Sequence, residues 1–279
     1  MTPRLTIPAP HALEGRPRTI AAAVHRRLVG GELALHRALD AIGSRPAAGR
    51  ERTSGLTALV KTFERPYVVR RLAASVRRLY PELAIVVVDD SREPVALSGV
   101  QTIRMDYDSG VSAGRNEGLR HVRTKYVLVL DDDFVFYRHT RLGPALELME
   151  RNPGIDITGG TVVDVPLMRS RHSPQGEIFP TDAVPLVPLG SRLGGLEVVD
   201  KVPTFYVART RRLGLVGWDP ELRMVDHADF FTRALGTLVT VRNPELKCLH
   251  ARTPFDARYM AKRMDLESSF RRLDEVYGP

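Results

Sequence analysis

The chain has 279 residues, 43% of them hydrophobic, enough to bury the core of one large α/β domain or two small ones. No apolar run approaches the ~20 residues that cross a bilayer. The first residues lack the charged head and apolar stretch of a secretory signal, and a lone Cys248 allows no internal disulfide, so a cytoplasmic protein is expected. The formal net charge of +8 comes mostly from scattered Arg. Without a long basic run no nucleic-acid partner is expected, which leaves a phosphate-bearing substrate or peripheral contact with an anionic membrane surface.

Residues 1–52 differ from the rest of the chain, with nine Arg against four acidic residues. Ile20 to Ile42 has the pattern of a helix, interrupted at Gly30 and Gly31, and Gly43 to Gly55 reads as a linker. The expectation is a basic N-terminal helical extension packed on the main domain or on a second copy in a homodimer. A membrane-surface helix is the lesser alternative, because no aromatic residue anchors it.

Residues 53–279 form the main domain. Leu56 to Val60 is a buried strand, and Arg65-Pro66 opens a helix whose Val68, Leu72, Val76 and Leu79 face the sheet. Pro81 ends that helix. Leu83 to Val88 and Tyr126 to Leu130 are too apolar for a surface strand; Thr102 to Met105 is a short one, and Ser112 to Val122 a helix. Strand-helix alternation predicts a mostly parallel central sheet flanked by helices, with its ligand beyond the carboxyl ends of the strands. Further on, Ile155 to Thr158 and Thr161 to Val165 read as two strands around Gly159-Gly160. Pro166 to Gly195 reads as an unusually long loop, of the kind that is either functional or disordered, and Val198 to Ala208 as a strand region. A helix starts near Asp226, Leu246 to Leu249 is strand-like, and Asp256 to Tyr277 reads as one closing helix.

Two acidic clusters follow buried strands. In Asp131-Asp132-Asp133 three consecutive carboxylates repel one another, and a divalent cation relieves that repulsion. Oxygen ligands suit Mg²⁺ or Mn²⁺ bridging carboxylates to substrate phosphates. Alternation places Asp131 and Asp133 on one face. Asp89-Asp90-Ser91 can accept hydrogen bonds from a base or a ribose. Gly110 to Gly118, with Arg115, precedes a helix, where backbone N–H groups can meet an anion or simply start the helix.

Together these stretches resemble the family 2 glycosyltransferases, which have the nucleotide-diphospho-sugar transferase fold called GT-A. The resemblance is closest to the ganglioside-type β-1,4-N-acetylgalactosaminyltransferases. It rests on Lys61-Thr62-Phe63-Glu64-Arg65, Val88-Asp89-Asp90-Ser91, Ala113-Gly114-Arg115-Asn116 and Asp131-Asp132-Asp133-Phe134-Val135-Phe136. It continues in Gly159-Gly160, Val216-Gly217-Trp218-Asp219-Pro220 and His227-Ala228-Asp229-Phe230-Phe231.

The resemblance implies an inverting transfer of a sugar from a UDP-sugar to a hydroxyl on a glycan or other acceptor, with Mn²⁺ or Mg²⁺ as cofactor. It implies that Thr62, Glu64, Asp89, Asp90, Arg115, Asp131 and Asp132 meet the nucleotide-sugar. Asp131, Asp133 and His250 would hold the metal, and Asp229 would be the acceptor's base. Here the sequence departs from the nearest relatives, which have Glu at that place. Asp226, three residues earlier, is a rival base. Trp218 is either a floor under a sugar ring or core, and Cys248 is buried and inert. The rival readings are a non-catalytic nucleotide-sugar-binding module and a sugar nucleotidyltransferase. The latter lacks support because the loop after the first strand has no glycine.

Overall fold

A computed structural model describes residues 15–42, 53–171, 177–263 and 266–278. In chain order the elements are α1 (Gly15–Ile42), β1 (Leu56–Thr62), α2 (Pro66–Leu79), β2 (Ala84–Asp89), β3 (Gln101–Arg104), α3 (Val111–His121), β4 (Tyr126–Asp131), β5 (Phe134–Val135) and α4 (Leu142–Arg151). The second half adds β6 (Ile157–Asp164), β7 (Arg169–Arg171), β8 (Arg192–Leu193), β9 (Leu196–Val198), β10 (Phe205–Arg209), α5 (Thr210–Leu213), α6 (Asp226–Ala234), β11 (Thr240–His250), α7 (Ala257–Arg263) and α8 (Glu267–Tyr277). The linker expected at 43–55 lies mostly outside the described residues, as does part of the loop expected at 166–195.

One sheet, ordered β3-β2-β1-β4-β10-β6-β11-β9-β8, forms the centre. β3, β2, β1 and β4 run parallel, β11 is parallel to β6, and β10 lies antiparallel between β4 and β6. The long apolar strands have helices on both sides, which is why they do not alternate with polar residues. Ala58, Val60, Leu128 and Leu130 pack with Val69, Leu72 and Val76 of α2 and with Met149 of α4. The intervening Leu59, Val127 and Val129 turn to the opposite face, in the cluster that contains Phe230 and Phe231 of α6. Pro66 stands in the first turn of α2, where a missing N–H costs no hydrogen bond.

The structure differs from the sequence reading in three places. Gly159 and Gly160 do not divide two strands; they sit inside β6. A Cβ on Gly159 would stand 2.2 Å from Val202 Cβ, and one on Gly160 would stand 2.6 Å from Leu246 O, so these glycines admit close neighbours. α1 runs unbroken through Gly30 and Gly31. Its flanking Val29 and Leu33 are buried against Val135, Val163 and Leu249, and this anchoring offsets the roughly 1 kcal/mol that each helical glycine costs. The C-terminal segment makes two helices because they bury against different partners. Tyr259 of α7 reaches Arg65, while Ser269 and Tyr277 of α8 reach Met224 and Asp229.

Candidate active site

The parallel register builds the site. Lys61 of β1 stands beside Asp131 of β4, and Thr62 beside Asp89 of β2, so three strand ends deliver their polar residues to one edge. A cleft of about 690 Å³ opens beyond them, where ligands of parallel sheets bind. The start of α3, the start of α6 and the segment from β11 through α7 complete its walls. After Asp133 the chain enters β5, which pairs antiparallel with β11 and sets Phe134 opposite His250. That pairing brings a histidine far along the chain beside the three aspartates.

Basic side chains answer the carboxylates. Thr62 Oγ1 donates to Asp132 Oδ2 at 2.7 Å. Arg65 is ion-paired with Asp132, lies 3.4 Å from Asp133 Oδ2, and stacks 3.5 Å from the Tyr259 ring centre. Burial pushes the Asp132 carboxyl up to about 6, with Arg65 opposing and Asp133 adding to the rise. Burial also disfavours the Arg65 charge, but Asp132 and Asp133 outweigh it and the guanidinium is held charged. Arg115 pairs with Asp226 through one nitrogen and with Asp131 Oδ1 through the other at 2.9 Å. Lys61 pairs with Asp90, whose Oδ2 also accepts the Gly110 N–H at 3.0 Å. Arg65 and Arg115 thus offset part of the repulsion among Asp131, Asp132 and Asp133.

Among the described residues, no group of three or more His, Cys, Asp or Glu side chains stands ready to hold an ion. His250 lies between two carboxylates, with Nε2 3.2 Å from Asp133 Oδ1 and Nδ1 2.8 Å from Asp164 Oδ1. Burial opposes its protonation, but Asp133 and Asp164 raise its pKa overall. Asp131 is tied to Arg115 through one oxygen. Asp133 and His250 are thus a hard oxygen and an imidazole side by side. Such a pair fits an ion whose remaining ligands are phosphate oxygens and water. The cleft lining also holds six Asp against six Lys and Arg, near balance before any ligand enters. A diphosphate would tip that balance negative, which a divalent ion corrects.

Some expected residues stand elsewhere. Asp89 folds into its own loop, accepting the N–H of Ser91 at 2.9 Å and of Val95 at 2.8 Å. Glu64 has a left-handed φ of 54° and accepts the Arg92 N–H at 2.9 Å; neither Glu64 nor Asp89 lines the cleft. At the start of α3 two backbone N–H groups are already engaged. Its Gly110 N–H goes to Asp90, and its Val111 N–H goes to Arg223 O at 3.1 Å. Gly114 serves packing instead: a Cβ there would stand 2.4 Å from Lys61 Cδ. Trp218 is core, stacked on Phe230 at 5.2 Å and clamped by Asn116. Cys248 is buried, and burial raises its thiol pKa.

The sequence model described as glycosyl transferase family 2 matches residues 57–211, more than half of the chain. The chain belongs to this family. Human beta-1,4 N-acetylgalactosaminyltransferase 1 is 37% identical over 208 residues, covering 70% of this chain and 39% of the human protein. Mouse beta-1,4 N-acetylgalactosaminyltransferase 2 is 32% identical over 221 residues, covering 75% of this chain and 42% of the mouse protein. The chain thus spans about two fifths of the length of these relatives. Among solved structures, S. aureus TarS superposes with a TM-score of 0.52 at 19% identity, over 71% of this chain and 37% of TarS. TarS has also been solved with UDP and with UDP-GlcNAc. The likeness in structure is one of GT-A fold.

In this family 2 chain the acid expected as acceptor base does not line the cleft. Asp229 is 1% exposed. Its Oδ2 accepts Arg233 at 2.7 and 3.0 Å, and its Oδ1 accepts the Tyr277 hydroxyl at 2.8 Å. Asp226, nearly one turn earlier, does line the cleft. His227 also lines it, with Nδ1 3.2 Å from Thr204 Oγ1, while burial and Arg115 pull its pKa down to about 3.

Sequence reasoning passed over Lys61, Arg65, Asp164 and Tyr259. Lys61 and Arg65 bracket the family 2 motif Lys61-Thr62-Phe63-Glu64-Arg65, and a demand for cations beside three aspartates would have found them. Asp164 and Tyr259 carry no such signal, since they arrive through strand pairing and a distant helix.

Proposed function

We propose that the chain is a metal-dependent inverting glycosyltransferase that moves an N-acetylhexosamine, N-acetylgalactosamine foremost, from a UDP-sugar to an acceptor hydroxyl. The observation that carries this reading is the meeting of Thr62, Asp90, Asp131 and Asp133 in one cleft of a family 2 chain. The names of the relatives and the TarS complexes with UDP and UDP-GlcNAc support the donor class.

In this reading Asp90, anchored by Lys61, accepts a hydrogen bond from the uracil, and the ribose and diphosphate lie along Asp131 to Asp133. Asp133 and His250 hold Mn²⁺ or Mg²⁺. When bound there, the ion supplies positive charge to the departing diphosphate. Asp226 takes the acceptor's proton as the acceptor oxygen bonds to the anomeric carbon, and the bond from that carbon to the diphosphate oxygen breaks to release UDP. Asp226 is favoured over Asp229 because it borders the cleft, whereas Asp229 is closed in by Arg233 and Tyr277.

The test is UDP release from a panel of UDP-hexoses and UDP-N-acetylhexosamines with Mn²⁺, with and without chelator. Release from one UDP-N-acetylhexosamine, lost with chelator, supports the reading. Release of pyrophosphate from a nucleoside triphosphate and a sugar phosphate would replace it with nucleotide-sugar synthesis.

A further inference from the structure

α1 has two apolar faces, and the domain covers one of them. Val29 and Leu33 are buried against Val135, Val163 and Leu249. The helix is also tied near both ends. His25 meets the Phe255 ring at 5.5 Å, and Asp40 pairs with Arg78 and accepts the Arg138 N–H at 3.0 Å. These ties fix the direction in which the second face looks.

That second face is a heptad seam. Val24, Leu28, Gly31, Leu35, Ala38 and Ile42 follow one another at alternating steps of four and three, the spacing that keeps one side of a helix against a partner helix. All six are exposed; Val24, Leu28, Leu35 and Ile42 are 51%, 54%, 57% and 82% exposed. The seam lies roughly 150° round the helix from Val29 and Leu33. No charged side chain interrupts it, whereas a solvated helix face is normally polar.

The turn after β6 carries the apolar surface off the helix. Leu167 and Met168 are exposed and held at left-handed φ angles of 90° and 49°. Leu167 donates its N–H to Glu32 at 3.1 Å, and Met168 Sδ lies 3.4 Å from His36 Nε2, so both stand beside α1.

The charges on the flanks indicate what covers the seam. With Leu28, Leu35 and Ile42 at heptad position a, Val24, Gly31 and Ala38 fall at d, Arg27 at g and Glu32 at e. Neither Arg27 nor Glu32 has an ion-pair partner among the described residues. In two parallel helices a g residue of one faces the following e residue of the other. Arg27 of each copy would then meet Glu32 of the partner subunit, twice by symmetry. A bilayer surface fits less well, since α1 has no Trp, Tyr or Phe to anchor it and its flanks carry opposite charges.

We propose that two copies of this chain pair through α1 as a parallel coiled coil, with the seam over 24–42 at its core and Arg27–Glu32 ion pairs across it. The pairing is independent of the transferase reading.

The experiment is sedimentation equilibrium of the full chain across a concentration series. A dimer is the expected result. Leu28→Asp/Leu35→Asp should turn it into monomers with an unchanged circular dichroism spectrum, because both side chains are exposed. Arg27→Glu and Glu32→Arg should each weaken the dimer at least tenfold. An equal mixture of the two should restore it, since opposite charges then face each other on both flanks. A wild-type chain that stays monomeric would overturn the proposal, as would a dimer that Leu28→Asp/Leu35→Asp leaves intact. A dimer indifferent to both charge reversals would overturn the parallel pairing. If a monomer instead cosediments with phosphatidylglycerol vesicles, and Leu28→Asp/Leu35→Asp abolishes that, a bilayer covers the seam and the proposal fails.

Discussion

Tyr277, at the end of α8, donates its hydroxyl to Asp229 of α6 at 2.8 Å, and so ties the C-terminal helix to the wall behind the cleft. Arg233 holds the other oxygen, so on the proposed reading Asp229 serves the fold and not the proton transfer. Losing one partner of a buried charged hydrogen bond costs about 1–3 kcal/mol. Asp229→Asn should therefore lower the unfolding free energy by about 2 kcal/mol and Tyr277→Phe by about 1 kcal/mol in urea titrations. An Asp229→Asn protein of unchanged stability and no turnover would return the role of base to Asp229.

Asp226→Asn should abolish transfer while leaving UDP affinity within a few-fold of wild type. The amide keeps a carbonyl oxygen for Arg115 but cannot take a proton. Calorimetric UDP binding beside turnover separates the two effects. A parallel loss of both would mean that Asp226 serves only to hold Arg115 against Asp131.

Gly114→Ala tests how Lys61 is placed. The new Cβ meets the flexible end of Lys61, 2.4 Å away, so the side chain must leave Asp90. Separating Lys61 from the buried Asp90 should cost the fold about 1–3 kcal/mol, although the flexible chain itself can move aside. UDP affinity should fall about tenfold if Asp90 needs Lys61 for its orientation, a shift of about 1.4 kcal/mol.

His227 makes stability depend on pH. Its pKa in the fold is about 3, against an ordinary 6.5. The unfolded chain takes up a proton at this ring as pH falls below about 6.5, while the folded chain does not until near 3, so acid favours unfolding. The contribution is complete above pH 6.5 and drains away toward pH 3. Between pH 6.5 and 4 it should amount to about 2–3 kcal/mol. His227→Phe should flatten that part of the urea-derived stability profile. A variant with the wild-type slope would show that other groups set it.

Much of this was readable from the residues. Unbroken apolar runs such as Tyr126 to Leu130 announce strands covered on both faces, and acids at their ends mark the ligand edge. Gly159-Gly160 misled because glycine marks both turns and close approaches in a strand, and only Val202 and Leu246 tell them apart. Asp229 was a family position whose burial cannot be seen in a one-dimensional pattern, since Tyr277 comes from a distant helix. The Arg65 and Arg115 network also needs three-dimensional proximity, although the charge surplus of the three aspartates hinted at it. α1 was legible as a helix, but its docking on Val135 and Leu249 was not.

The most direct test of the central claim is calorimetric UDP binding with and without Mn²⁺, on wild type and on Asp133→Ala. The account predicts metal-dependent binding that Asp133→Ala weakens at least tenfold with Mn²⁺ present, a loss of about 1.4 kcal/mol or more. Failure of the wild-type protein to bind UDP with Mn²⁺ present would contradict it.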